Sequence, residues 1–198
     1  MKTFDINLYN KCKKELSKQS EFLRYYYSPT LTALKQSLKT LKNKNILEIG
    51  YRTPLFLDYL KIYGTNAYGI DTNPEIINKN LFKMSIEKLS PKFLKENKNK
   101  FHAIFERITL SKLYEEKYFL ETGKYRFKNK DKILANIYKL LKNKGILVLQ
   151  DDRGSIFTEY LFKKFGFEKL IKETPIIFKD KKGKDLGWNV IVVYRKIK

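Results

Sequence analysis

The stretch Asn45-Ile46-Leu47-Glu48-Ile49-Gly50-Tyr51-Arg52-Thr53-Pro54 constrains the fold more than any other part of the chain. An apolar run with one polar break reads as a parallel strand buried on both faces. Gly50 has no side chain, so the backbone can turn sharply there and a ligand can approach closely. Pro54 suits the first turn of a helix, where its missing N–H is not needed. The stretch therefore predicts strand, tight loop and helix, the unit that opens many nucleotide-like cofactor sites.

The rest of the chain alternates in the same way. Residues 5–26 read as a helix with Ile6, Tyr9, Leu16, Phe22 and Leu23 on its apolar face. Pro29 predicts a break, because it disfavours helical conformation in the residue before it. Ser28 or Thr30 would then cap a second helix carrying Leu31, Leu34, Leu38 and Leu41. The triplet Tyr25-Tyr26-Tyr27 reads as packing or as a lid over a ligand mouth. A helix over 54–63 ends at Gly64. The strand Ala67–Ile70 ends in Asp71, and Asp71-Thr72-Asn73-Pro74-Glu75 predicts a capped helix over 73–80. Phe82–Ile86, Phe101–Phe105 and Gly145–Leu149 are further strands, with helices at 91–98 and from Asn129 or Asp131 to Leu141. Residues 106–128 carry no clear pattern. After Gln150-Asp151-Asp152 comes a helix over 155–165. Phe167–Phe178 and Trp188–Arg195 are joined by a polar turn too short for a crossover helix, so the two strands must be antiparallel.

At 198 residues and 42% hydrophobic content the chain predicts one domain, residues 1–198, with helices over 1–44 covering the site and an α/β core over 45–198. No apolar run reaches the ~18 residues of a membrane span, and the first residues lack the apolar core of a secretory signal, so a cytoplasmic protein is expected. The single cysteine, Cys12, excludes an internal disulfide and a cysteine-based zinc site, and no metal is expected. The formal charge is +21, yet only six basic residues are Arg and the lysines are spread through the chain. Such a charge attracts polyanions; a solvated lysine surface and a nucleic-acid face both remain open.

Six landmarks stand in order. They are Glu48-Ile49-Gly50; Asp71, 23 positions on; Ser85-Ile86; Phe101-His102-Ala103-Ile104; Leu140-Leu141-Lys142-Asn143-Lys144-Gly145; and Gly166-Phe167-Glu168. Together they resemble the motifs of the class I S-adenosylmethionine-dependent methyltransferases over roughly residues 30–195. The resemblance implies a Rossmann-like three-layer α/β sandwich, with a mostly parallel seven-stranded sheet ending in an antiparallel hairpin. It implies S-adenosylmethionine as cofactor, held by Glu48, Gly50, Arg52, Asp71, Thr72, Ser85 and Ile86, with Asp71 on the ribose hydroxyls and Ser85-Ile86 beside the adenine. Acids suit a ligand that carries a sulfonium, an ammonium and a diol. The dinucleotide fingerprint G-x-G-x-x-G is absent, as are P-loop and Ser-His-Asp motifs.

The family's first motif usually has glycine at alternate positions, and here those positions hold Arg52 and Pro54. Arg52 would either pair with the methionine carboxylate of the cofactor or fill the pocket and repel the sulfonium. The first outcome implies a methyltransferase, most simply acting on a small molecule. The second implies a non-catalytic binding domain, with RNA or an acidic protein as the partner the charge suggests. Candidate substrate contacts are His102, Glu106 and Arg107 around the fourth strand, Tyr26 in the aromatic triplet, and Asp151 and Asp152 after the fifth strand.

Overall fold

The structure is a computed structural model that describes residues 1–107, 129–151, 159–179 and 185–197. Residues 108–128, the expected helix start at 155–158, the hairpin turn at 180–184 and Asp152 lie outside the described residues. The elements in chain order are α1 (Ile6–Ser17), α2 (Glu21–Leu38), β1 (Asn45–Ile49), α3 (Leu55–Lys61), β2 (Asn66–Asp71), β3 (Leu81–Lys83), α4 (Pro91–Glu96), β4 (Phe101–Arg107), α5 (Lys130–Leu140), β5 (Leu141–Asp151), α6 (Glu159–Lys164), β6 (Phe167–Lys179) and β7 (Asp185–Lys196). The seven strands lie in the order β3-β2-β1-β4-β5-β7-β6. β7 runs antiparallel to both β5 and β6, and the other neighbours are parallel. This is the Rossmann-like α/β arrangement with its antiparallel final hairpin.

Alternation along each buried strand builds two cores. Ile46, Ala103, Phe105, Ile146 and Val148 pack with α1, α2 and α3 on one face. Leu47, Ile49, Ile104, Leu147 and Leu149 pack with α4, α5 and α6 on the other. Glu48 lies between Leu47 and Ile49 in sequence, so it points towards the α2 layer. After β3 the chain returns to the other side of β1, and the order reverses between β1 and β4. Ligands of open α/β sheets bind outside the carboxyl ends of the strands at such a point.

Several elements differ from the sequence reading: the helix expected over 5–26 is split after Ser17, and the strand expected over Phe82–Ile86 is shortened to Leu81–Lys83 with a separate turn at Ile86–Lys88. The expected break at Pro29 is absent, and α2 runs through it from an N-cap at Ser20, whose Oγ accepts the Leu23 N–H at 3.0 Å. Proline removes one helix donor, the one that would meet Tyr25 O, and side chains brace the turn by bonding neighbouring carbonyls. Ser28 Oγ donates to Arg24 O, Gln150 Nε2 to Tyr26 O at 2.8 Å, and Thr32 Oγ1 to Ser28 O at 2.7 Å. Thr30 Oγ1 donates to Gln150 Oε1 at 2.7 Å, so β5 pins α2 at its weakest turn.

The helix expected over 73–80 is also absent. Asp71 caps a single turn, accepting from the Asn73 N–H at 2.6 Å, while the Glu75 N–H goes to Arg52 O at 2.9 Å. The segment is tied to the loop after β1, and a local helix cannot offer those bonds. Ile76 and Ile77, placed on that helix by the sequence, are exposed.

β5 begins at Leu141, four residues before Gly145, because the Lys100 N–H and the Leu140 carbonyl already bridge β4 and the end of α5 at 3.0 Å. Asn129 occupies the N-cap position of α5 without making a side-chain cap bond; its amide reaches Glu87 at 2.9 Å instead. Among the described residues, no helix is long and apolar enough to cross a membrane.

Candidate functional site

A cavity of about 730 Å³ opens at the carboxyl ends of β1, β2 and β4. Its floor is the loop after β1. Gly50 adopts φ +80° and donates its N–H to Ile70 O at 2.8 Å, a conformation that costs glycine little. Arg52 takes φ +39° and donates its own N–H to Asp71 Oδ2 at 3.0 Å. Asp71 therefore ends β2 with its carboxylate oriented by two backbone N–H groups, those of Arg52 and Asn73. A carboxylate has roughly four acceptor positions, so each oxygen keeps one for a further donor.

The Arg52 guanidinium lies on the rim. Its side chain is 77% exposed and its Nε stands 3.4 Å from Glu75 Oε1. It neither occupies the floor nor blocks the cavity. Thr72 lies beside Asp71 on the lining. Across from it, Ser85 caps the turn Ile86–Lys88, and Asn136 of α5 anchors Ile86 by donating to its carbonyl at 2.7 Å. Ile86 and Met84 give this side an apolar wall.

Glu48 lies beneath the cavity and is 1% exposed. Tyr27 donates its hydroxyl to Glu48 Oε1 at 2.9 Å, while the buried Oε2 has no hydrogen-bond partner among the described residues. Burial pushes the Glu48 carboxyl up to about 8, with a smaller push from the Asp71 charge; the Tyr27 bond and the Arg107 charge pull it down. The same burial, with the Glu48 charge, raises the Tyr27 hydroxyl. The carboxyl thus holds its proton at neutral pH. A cation placed nearby would draw that proton off.

At the far end of the cavity the Arg107 guanidinium faces three rings of α2, at 4.8 Å from Tyr26, 5.1 Å from Tyr27 and 5.9 Å from Phe22. Phe22, Tyr27 and Arg107 all line the cavity. Glu106 is 2% exposed within β4, and Asp151 is 3% exposed in the β5–β7 ladder. His102 lies elsewhere. It is the second residue of β4, at the end of the sheet opposite the cavity, where its Nδ1 accepts the Asn45 N–H at 3.0 Å. The structure thus gathers Gly50, Arg52, Asp71, Thr72, Ser85, Ile86 and Arg107, with Glu48 below and Tyr26 beside them, and leaves His102 out.

Two residues were not singled out from the sequence. Tyr27, not Tyr26, meets Glu48, and the signal was the helical series Leu23, Tyr27, Leu31 and Leu34, which is visible once α2 continues through Pro29. Tyr51 is 2% exposed, donates its hydroxyl to Ile76 O and presses its ring on Gly69. A Cβ at Gly69 would lie 2.4 Å from Tyr51 Cδ1 and 3.0 Å from Leu57 Cδ1. Gly69→Ala is therefore expected to cost about 2 kcal/mol by overpacking, or roughly 4–8 °C in Tm. A thermal melt measures it, and the loss should shrink when Tyr51→Ala is added; equal losses in both backgrounds would rule out this contact as the cause.

Residues 20–174 match the model of a family described as a methyltransferase domain. No curated protein matches the chain. Among solved structures it is similar to the 1,6-didemethyltoxoflavin-N1-methyltransferase of Burkholderia thailandensis, a structure with bound 1,6-didemethyltoxoflavin and S-adenosylhomocysteine. Identity there is 12% and the TM-score 0.59, over 96% of this chain and 88% of that one. A SAM-dependent methyltransferase from Aquifex aeolicus gives 18% and 0.52, over 91% and 97%. One from Methanosarcina mazei gives 14% and 0.53, over 79% and 93%. At these identities the likeness is one of fold. Because the family match spans most of the chain and this fold carries its cavity at the β1/β4 switch point, the chain belongs to the methyltransferase-domain family, with the class I S-adenosylmethionine-dependent type of fold.

Proposed function

We propose that the protein is an S-adenosylmethionine-dependent methyltransferase acting on a small molecule, with residues 1–44 and 45–198 working as one unit. The observation that carries this reading is the oriented Asp71 carboxylate at the cavity floor, with the unpartnered Glu48 oxygen beneath it. The residues suit the cofactor. Asp71 offers acceptors to the ribose hydroxyls, the Ser85-Ile86 turn offers an apolar edge to the adenine, and Gly50 lets the backbone come close. Glu48 offers a buried acid near a cationic ligand, with Thr72 beside Asp71. Arg52, held on the rim, is the partner proposed for the methionine carboxylate. The departure from the family's glycine pattern therefore changes the rim and leaves the floor open.

When bound, the cofactor supplies an electrophilic methyl group on a sulfonium. The chain's own contribution is positioning, which can account for much of a rate enhancement without a dedicated acid or base. The acceptor would lie against Arg107 and the rings of Phe22 and Tyr27, which line the cavity together, with Tyr26 behind Arg107. A cavity of about 730 Å³ falls in the range of small-molecule sites. Calorimetric titration with S-adenosylmethionine and S-adenosylhomocysteine tests the reading. Saturable heat and a thermal upshift are expected; neither heat nor shift at millimolar ligand would overturn it.

A further inference from the structure

The lysines that look scattered in the sequence are not scattered on the fold. β1, β4 and β5 all begin at the edge opposite the cavity, and the antiparallel β7 ends there. Segments 39–45, 98–102, 139–146 and 195–197 meet at that edge. They hold ten of the chain's basic residues and no aspartate or glutamate, against a net charge of +21 for the whole chain. A uniform lysine bias would spread charge and leave acids interspersed. Here about half the excess gathers in four short segments.

The absence of acids from these four segments separates this edge from the rest of the surface. Elsewhere some lysines meet acids, as Lys35 meets Glu15, Lys61 Asp58, Lys164 Asp131 and Lys169 Glu159. Arg195, the one arginine of these segments, pairs with Glu168 at 3.8 Å, whereas among the described residues none of Lys42, Lys44, Lys98, Lys139, Lys142 and Lys144 forms such a pair. Lys196 is the exception in burial. Its ammonium donates to Asn99 Oδ1 at 3.0 Å, Tyr138 O at 2.8 Å and Leu141 O at 2.9 Å, so it fixes the edge and takes no direct contact. Burial, with the charges of Lys142 and Lys44, lowers the His102 pKa.

We propose that this N-terminal edge of the sheet binds the phosphate backbone of a single-stranded nucleic acid, apart from the cofactor cavity. Neighbouring strands are ~4.8 Å apart, so the row from β1 through β4 and β5 to β7 is about 14 Å long, and the length of β1 sets it some 16 Å from the cavity. Lysines are point charges with rotatable donors, suited to phosphates that vary in position. The neighbouring rings of Tyr68 and Tyr138 already lie under the ammoniums of Lys100 and Lys196, at 4.2 and 4.1 Å. The contact is therefore with phosphate, not with stacked bases, and is independent of sequence. A flexible strand can follow a straight row of single charges. The proposal stands whether or not the cavity carries out methyl transfer.

Backbone geometry supplies a discriminating substitution. Lys144 adopts φ +61°, a left-handed conformation that strains any residue with a Cβ. Lys144→Gly therefore removes a charge from the edge while relieving strain, so weakened binding cannot be assigned to unfolding.

The experiment is fluorescence anisotropy with a labelled homo-uridylate oligonucleotide, using the full chain. With four phosphate contacts the affinity should fall by about 50-fold as salt rises from about 50 to 200 mM. The quadruple variant Lys42→Gln/Lys98→Gln/Lys142→Gln/Lys144→Gly should lose at least about tenfold at low salt, with an undiminished melting temperature. A control with the same charge change, Lys11→Gln/Lys18→Gln/Lys83→Gln/Lys132→Gln, should lose less than about twofold. Equal losses in both variants would reduce the effect to net charge and overturn the edge. So would binding insensitive to salt, or a preference for duplex, for an acidic polypeptide or for anionic lipid vesicles over the single strand.

Discussion

Asp71→Ala is expected to raise the dissociation constant for S-adenosylhomocysteine by one to two orders of magnitude. A hydrogen bond to a charged group contributes about 1.5–3 kcal/mol, equivalent to roughly 10- to 150-fold. The carboxylate is held by the Arg52 and Asn73 N–H groups, at 3.0 and 2.6 Å, before any ligand arrives. The ligand therefore does not have to order it. The same two bonds also tie the loop after β1 to the segment after β2, so alanine loosens the floor as well as removing an acceptor. Both N–H groups lie where water can replace the lost acceptor, so the melting temperature should move little. Asp71→Asn, which keeps one carbonyl oxygen, should fall between wild type and alanine. Calorimetry on the three proteins, with melts of each, separates binding from folding. Unchanged affinity in the alanine variant would remove Asp71 from the site.

The second large effect is one of pH. Burial raises the folded Glu48 carboxyl to about 8 from the 4.5 usual for a solvated glutamate, so the native state keeps a proton that the unfolded chain releases. Stability from this group is fully present below pH 4.5 and is lost as the pH rises towards 8. Over that window the loss is on the order of 4 kcal/mol. Glu48→Gln keeps an acceptor for the Tyr27 hydroxyl and carries no proton to lose. The variant should match wild type near pH 5 and exceed it at pH 8, as measured by denaturant unfolding across the range. Parallel curves for the two proteins would place the titrating group elsewhere. A cationic ligand near Glu48 favours the ionised form, so cofactor binding at pH 7 should release close to one proton, on the order of the fraction bound at ~1 unit below the pKa. Titration in buffers of different ionisation enthalpy reads that proton directly.

The order of strands and helices was legible because burial on both faces writes apolar runs, continuous in Ile146–Leu149 and broken only by Glu48 in Ile46–Ile49. The same patterning identified the antiparallel hairpin, since its turn is too short to hold a crossover. The misreadings share one cause. Pro29 breaks an isolated helix, but here side chains of Ser28, Thr32 and Gln150 brace the turn around it, and Gln150 comes from more than a hundred residues away. Asp71-Thr72-Asn73-Pro74 reads as a helix start until Arg52 and Tyr51 claim the backbone of Glu75 and Ile76. His102 reads as a site residue because it belongs to a site strand. Its place at the start of β4, not at its end, puts it on the far edge.

Local periodicity and chemistry along the chain suffice for the α/β class, the final hairpin and the two acids at the ends of β1 and β2. Only the tertiary structure decided that Glu48 is buried with its proton, that Arg52 stands on the rim and leaves the floor open, and that Tyr27 faces the acid in place of Tyr26. It alone decided that lysines far apart in the chain share one edge. Each of these depends on which residues meet across the sheet, and a pattern of neighbours along the chain does not contain that distance.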